Sequence, residues 1–446
     1  MSEEKRINAN PTKRFFIDML VRDIAIEPAI VELVDNSLDG ARRIRRDNEA
    51  YEGTCEIRVS FDKEEFRIED TCGGISINDA KNYCFRFGRD DNRELDLKTG
   101  TGVFGIGMKR ALFRMGKVFD IESVTKTESF SLHIDVDEWL RDDNSYWEFQ
   151  FTTIKKDQDN PIEKCGTKIV VSKLHDVIKN AFGNPIFRDS FFRYVQMRSS
   201  AIRALKVNVI VNGKELQYAD QKILFSDRFK PYVKNISIDG VNIRIMSACA
   251  RMGEPQKAGW YIQCNGRTVV FANQDEITGW GTDGVRAFHP GFASFRGYVY
   301  FESDDLEKLP WNTTKTGVDV SSKYYQIALN EMKECAKLYV TWKDRVDDFV
   351  KNDAEGKIEV KDVFDGREVG MLSEEVGLYS KDNKQFVFPK LDNSLFPVPR
   401  EPEATISFRV TKKKIEEAKN YLGNIKMTNK ELGEKVFSYF YEREIE

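Results

Sequence analysis

An α+β chain of several domains is what the 446 residues predict. Three observations carry that prediction. A helical apolar repeat runs through residues 28–41, a strand ends in a glycine turn at residues 66–75, and a glycine-rich segment at 98–110 opens a second helix. In the first, Pro28 stands where a first helical residue is expected, and Ile30, Val34, Leu38 and Ala41 recur at helical spacing. Glu32, Asp35, Asn36 and Asp39 then fall at i, i+3, i+4 and i+7, so they line one polar stripe beside the apolar one. Such a stripe holds a hard cation and a water, or it is a solvated acidic face. Mg²⁺ is commonly held by one or two side-chain oxygens together with substrate phosphates, and a carboxylate one turn away can deprotonate an attacking water. In the second segment Asp70 closes the strand. There it can accept a hydrogen bond from an exocyclic amine while Gly73 and Gly74 let a flat ring approach the backbone. In the third, the glycines aim backbone N–H groups at a polyphosphate, and the N-terminus of the helix at 108–115 adds its dipole.

Taken together, Glu32-x-x-Asp35-Asn36-x-x-Asp39-Gly40-Ala41, Asp70-x-x-Gly73-Gly74-Ile75 and Gly102-x-x-Gly105-x-Gly107 resemble, in order and spacing, the motifs of the ATP-binding (Bergerat) fold of the GHKL superfamily. That group includes DNA gyrase, MutL, MORC proteins, the ninety-kilodalton heat-shock chaperone and histidine kinases. A fourth segment, Cys165-Gly166-Thr167 and the apolar run to Val171, resembles the strand whose threonine helps hold adenine. The resemblance implies a Bergerat α/β sandwich that binds ATP with Mg²⁺. It implies that Glu32 is the hydrolytic base and Asn36 the Mg²⁺ ligand. By the same resemblance Asp35, Asp39, Asp70, Gly74, Gly102, Val103, Phe104, Gly105, Ile106, Gly107, Lys109 and Thr167 surround the nucleotide. Cys72 departs from the pattern, standing where many relatives have the first glycine of the adenine-side turn. Lys109 and Arg110 are similar to the MORC lysine or are solvated helix residues.

Other nucleotide folds fail on context. Gly100, Gly102 and Gly105 satisfy the dinucleotide pattern G-x-G-x-x-G, but residues 91–98 before them are too charged for a buried parallel strand. No Gly-Lys-Ser/Thr completes a P-loop. Charged residues make up 32% of the chain and nearly balance at a net charge of −4, so no global field draws it to nucleic acid or membrane. The seven cysteines, at 55, 72, 84, 165, 249, 264 and 335, contain no C-x-x-C pair, which argues against zinc and a disulfide scaffold. With no apolar run of about 18 residues and a charged N-terminus, the expected compartment is the cytoplasm, without membrane contact.

The expected domains are an ATP-binding domain at 1–220, a second α/β domain at 221–350, an irregular connector at 351–402 and a small, mainly helical tail at 403–446. Residues 260–270, Thr278-Gly279-Trp280 and the loop 309–319 resemble the transducer domain of gyrase and MutL. In those relatives a lysine on that loop reaches the γ-phosphate, which by position implies a catalytic role for Lys315. In the tail, Pro397, Pro399 and Pro402 mark a stiff linker. Residues 405–410 then alternate like a short strand, 412–422 read as a helix, and a second helix opens with the capping box Thr428-x-x-Glu431 to bury Leu432, Val436 and Phe440. Strand, helix and helix resemble a ribbon-helix-helix module, which would present Thr405, Ser407 and Arg409 to DNA; the alternative is a helical dimerisation or docking tail.

Within the superfamily, a histidine kinase needs a phospho-accepting histidine upstream, and His133, His175 and His289 all follow the first two motifs. The expectation is an ATP-driven switch that closes as a homodimer. It would be a DNA-associated clamp in repair or anti-phage defence with a nuclease or helicase partner, or a chaperone-like remodelling ATPase, or a nucleotide-sensing adaptor.

Overall fold

In the first 216 residues, alternating burial along the strands and a one-sided apolar stripe on each long helix dictate a sheet covered by helices. The computed structural model describes residues 11–22, 24–48, 51–86, 107–141, 147–198, 202, 205–216, 221–312, 315–353, 358–391 and 406–445. Its first half contains α1 (Lys13–Val21), α2 (Ile26–Asp47), β1 (Cys55–Phe61), β2 (Phe66–Asp70), α3 (Gly107–Met115), β3 (Gly116–Val124), β4 (Ser129–Asp135), β5 (Phe151–Lys155), β6 (Gly166–Leu174), α4 (Asp176–Gly183), α5 (Pro185–Arg198), β7 (Val207–Val211) and β8 (Lys214–Glu215). The eight strands form one sheet in the order β5-β4-β3-β6-β2-β1-β7-β8. Its ladders are antiparallel except β1 with β7, which is parallel, with Cys55 opposite Val207. Helix α2 buries Ala29, Ile30, Leu33, Val34, Leu38 and Ala41 against this sheet and α3. It begins two residues before Pro28, because the first turn of a helix has no use for the missing N–H.

A second sheet follows, built from β9 (Lys222–Leu224), β10 (Tyr232–Ile238), β11 (Val241–Cys249), β12 (Gly259–Cys264), β13 (Arg267–Asn273) and β14 (Phe295–Ser303), with α6 (Lys323–Lys351) after it. Five strands pair in the order β10-β11-β14-β12-β13, and β12 runs parallel to β14. The α6 stripe Tyr325, Ala328, Met332, Cys335, Ala336 and Tyr339 packs on one face. Tyr261, Tyr298 and Met246 on the other face are covered by Met371 and Val376.

Met371 and Val376 lie in the span read from sequence as an irregular connector. Residues 358–391 instead carry β15 (Glu368–Gly370), which pairs with β9, and bridges from Lys230 to Val387 and from Val233 to Lys384. Elements this short show no periodicity in the sequence; edge pairing fixes them. The two sheets belong to one compact unit, Met1–Asn352 with Glu359–Phe396. Among the described residues no helix is long and apolar enough to cross a membrane.

The second unit contains α7 (Lys412–Tyr421) and α8 (Asn429–Glu444). The capping box is present: Glu431 N–H donates to Thr428 Oγ1 at 3.1 Å, and Thr428 N–H to Glu431 Oε2 at 2.7 Å. Of the expected buried trio only Leu432 is buried, while Val436 and Phe440 are half exposed. Of the strand expected at 405–410, residues 406–410 adopt no regular structure, since a lone ribbon has no second strand to complete its ladder; Ser407 and Arg409 are exposed there.

Candidate active site

Helix α2 brings Glu32 and Asp35 onto one turn, where two cations meet them, Arg267 from the start of β13 and Lys315 from the loop before α6. Lys315 Nζ lies 2.7 Å from Glu32 Oε1, and Arg267 Nη1 lies 3.0 Å from Glu32 Oε2 and also pairs with Asp35. Both cationic side chains are almost fully buried, at 3% and 2% exposure, and Glu32 is 13% exposed. Burial alone would raise the Glu32 carboxyl, but the Lys315 ammonium and the Arg267 guanidinium outweigh it and hold it below its ordinary value. For Asp35 burial wins, and its carboxyl is raised despite Arg267.

Local chemistry explains how each cation arrives. Asn265 and Gly266 both have positive φ and form the two-residue turn between β12 and β13, so Arg267 is the first ladder residue after a tight hairpin. Lys315 sits in the loop before α6 with φ of 52°, a left-handed backbone that lysine rarely adopts. Lys315 N–H to Asn312 O at 2.9 Å, Thr316 N–H to Asn312 Oδ1 at 3.0 Å and Asn312 N–H to Gly317 O at 3.1 Å hold that turn. Gly107 opens α3 against Glu32, where a Cβ would come within 2.1 Å of Glu32 Oε1. Only glycine lets that helix N-terminus abut the carboxylate.

Asp70 is held differently. Its Oδ2 accepts from the Ser37 hydroxyl at 2.6 Å, and its Oδ1 from Cys72 N–H at 2.8 Å and Thr167 N–H at 3.2 Å. Burial raises its carboxyl even against these three donors. Beside it Gly74, with φ of 70°, packs where a Cβ would meet Val124 O at 2.1 Å, so β3 can lie directly under the turn. The Thr167 hydroxyl lies 3.4 Å from that of Ser123.

The remaining sequence candidates divide. Asn36 is half-buried on α2, one residue after Asp35. Asp39 pairs with Arg42, whose other nitrogen donates to Asn265 O at 3.2 Å. Lys109 is buried and donates to the carbonyls of Cys84 at 2.8 Å and Arg86 at 2.6 Å; burial pushes its ammonium down to about 8. Gly102, Val103, Phe104, Gly105, Ile106 and Thr405 lie outside the described residues. Among the described residues no cluster of three or more His, Cys, Asp or Glu forms an all-protein metal cage. Sequence reasoning does not reach Arg267 or Ser37. The Asn265-Gly266 dipeptide is a readable hairpin signal, but nothing in it names the carboxylates that Arg267 meets.

Residues 24–181 match the family model of the histidine kinase-, DNA gyrase B- and HSP90-like ATPases. No curated protein matches the chain. The matched segment spans α2, the Asp70 turn, the start of α3 and the Thr167 strand, and it is an ATPase domain of the GHKL superfamily.

Proposed function

We propose that this chain is a Mg²⁺-dependent ATPase that works as a conformational switch. The observation that carries the reading is Glu32, a carboxylate kept ionised inside the ATPase domain and touched by a lysine from the loop before α6. In this reading Asp70 and Thr167 select adenine, and the glycine segment through Gly107 covers the phosphates. Asn36 would hold Mg²⁺ together with the phosphates, and the ion would neutralise part of their charge. Glu32 takes the proton of the attacking water as the bond from the γ-phosphorus to ADP oxygen breaks, and Lys315 faces the charge that develops on the γ-phosphoryl group. Lys315 leaves Glu32 to do so, which ties hydrolysis to movement of the second sheet. That sheet is read as a transducer, and turnover is slow because the conformational step limits it. The test is Glu32→Ala: hydrolysis should fall by about 10²–10⁴-fold with ATP binding nearly unchanged. Retention of more than a tenth of the rate would remove Glu32 as the base.

The same switch is proposed to close as a homodimer and to act on DNA, in repair or anti-phage defence. The tail supports both parts. Phe408, Tyr421, Ile425, Phe437, Tyr439 and Phe440 leave it an apolar surface that a second copy would cover, and Arg409 with Lys412 to Lys414 stand exposed beside it. Salt-dependent DNA binding that is lost on truncation to 1–398 supports this reading. Its absence favours the chaperone-like or nucleotide-sensing alternatives.

A further inference from the structure

Two cations share Glu32, but they are not equivalent. Lys315 touches a single oxygen, Oε1, from a loop whose backbone is strained at that residue. Arg267 touches the other oxygen, Oε2, from the first position of a strand, and the same nitrogen spans to Asp35 one helical turn away. Its Nε is buried without a hydrogen-bond partner, and the side chain is almost fully shielded from solvent. Pulling Arg267 away would strand two buried carboxylates, whereas pulling Lys315 away leaves Glu32 with Arg267 still in place. The oxygen that Lys315 would vacate, Oε1, is the one that faces the N-terminus of α3 at Gly107.

We propose that Arg267 is a positioning residue for hydrolysis. It holds Oε2 of Glu32 throughout the cycle, so that Oε1, freed when Lys315 turns to the nucleotide, is aimed at the water on the phosphate side. This rests on the reading of Glu32 as the base. Lys315 is the moving cation of the pair and Arg267 the fixed one. Residue 267 therefore belongs to the catalytic geometry, although it lies outside the segment that matches the ATPase family. A guanidinium suits the task, because it stays charged when buried and its rigid planar group sets Nη1 between the two acids.

The experiment measures kcat, KM for ATP and Kd for ADP in full-length Arg267→Gln and Arg267→Lys, each in the wild-type and the Glu32→Gln background, with phosphate release read under single-turnover conditions. A misaimed carboxylate should lower kcat of Arg267→Gln by about 10²-fold. KM and the ADP Kd should stay within about threefold, and Arg267→Lys, which restores one charge but not the span to Asp35, should recover roughly tenfold of the loss. In the Glu32→Gln background Arg267→Gln should change the residual rate by less than about twofold, because residues that act as a unit are non-additive. A kcat within threefold of wild type, or an equal loss in both backgrounds, overturns the proposal. If Arg267→Gln does not fold, Arg267→Lys decides: an undiminished kcat in that variant overturns the proposal equally. If Glu32→Ala itself keeps its rate, the base assignment fails and this proposal falls with it; if Glu32→Ala is dead and Arg267→Gln is active, only the role of Arg267 falls.

Discussion

Two buried carboxylates of the same domain, Glu32 and Asp70, are stabilised by opposite means. Glu32 is held by full charges that come from 235 and 283 residues away, one at the start of β13 and one in the loop before α6. Asp70 is held by three neutral donors within its own domain, from Ser37, Cys72 and Thr167. The charges drive Glu32 below its ordinary value, while the neutral donors leave Asp70 above its own. A carboxylate held by a neighbouring lobe can be released when that lobe moves. One held by its own backbone cannot, which suits a group that recognises a ligand and does not react.

Three measurements would sharpen or break that contrast. The largest effect is expected for Lys315→Ala, where the loss of a cation facing the transferred group should lower kcat by about 10²–10³-fold while ADP affinity stays within threefold. Equal losses for ATP and ADP would make Lys315 an ordinary binding residue. Next, Asp70→Asn turns one acceptor into a donor facing Cys72 and Thr167 N–H or the Ser37 hydroxyl. Nucleotide affinity should fall by roughly 10–100-fold, the scale of one buried unpaired group, with kcat at saturating ATP little changed. A kcat effect larger than the affinity effect would place Asp70 with Glu32 and erase the distinction.

The smallest effect concerns acid. Glu32 has a folded value below the ordinary 4.5, so its contribution is complete above about pH 4.5 and is lost as pH falls through the folded value. Asp70 has a folded value above the ordinary 3.8, so its ionised form costs stability at neutral pH and that cost is relieved as pH falls through the folded value. Denaturation of wild type, Glu32→Gln and Asp70→Asn from pH 7 to pH 2 should show the advantage of wild type over Glu32→Gln steady down to about pH 4.5 and shrinking below it. Over the same range wild type should gain on Asp70→Asn as pH falls through the raised Asp70 value. Parallel curves would mean that the two sites titrate alike.

What the sequence reveals is local. The helix through Glu32, the strand ending at Asp70 and the helix opening at Gly107 are each encoded within about a dozen residues by periodicity, a strand end or a glycine. Lys315 is legible only through resemblance to transducer loops, since its meeting with Glu32 depends on how one sheet packs on another. Arg267 is not legible, because an arginine after a hairpin turn is an ordinary surface residue until a partner buries it. In the tail, helical periodicity locates α7 and α8 but promises burial for Val436 and Phe440 that two short helices alone do not supply.

The parallel ladder between β1 and β7 sets an order of assembly on the ribosome. Strand β1 is made early, yet the neighbour on its far side, Val207–Val211, emerges about 150 residues later, so the nascent sheet waits with a bare hydrogen-bonding edge until that strand arrives. The family match ends at residue 181, before β7. A fragment cut at that homology boundary would keep every nucleotide motif of the ATPase domain and still expose the edge of β1, so the smallest unit to produce on its own extends past Val211.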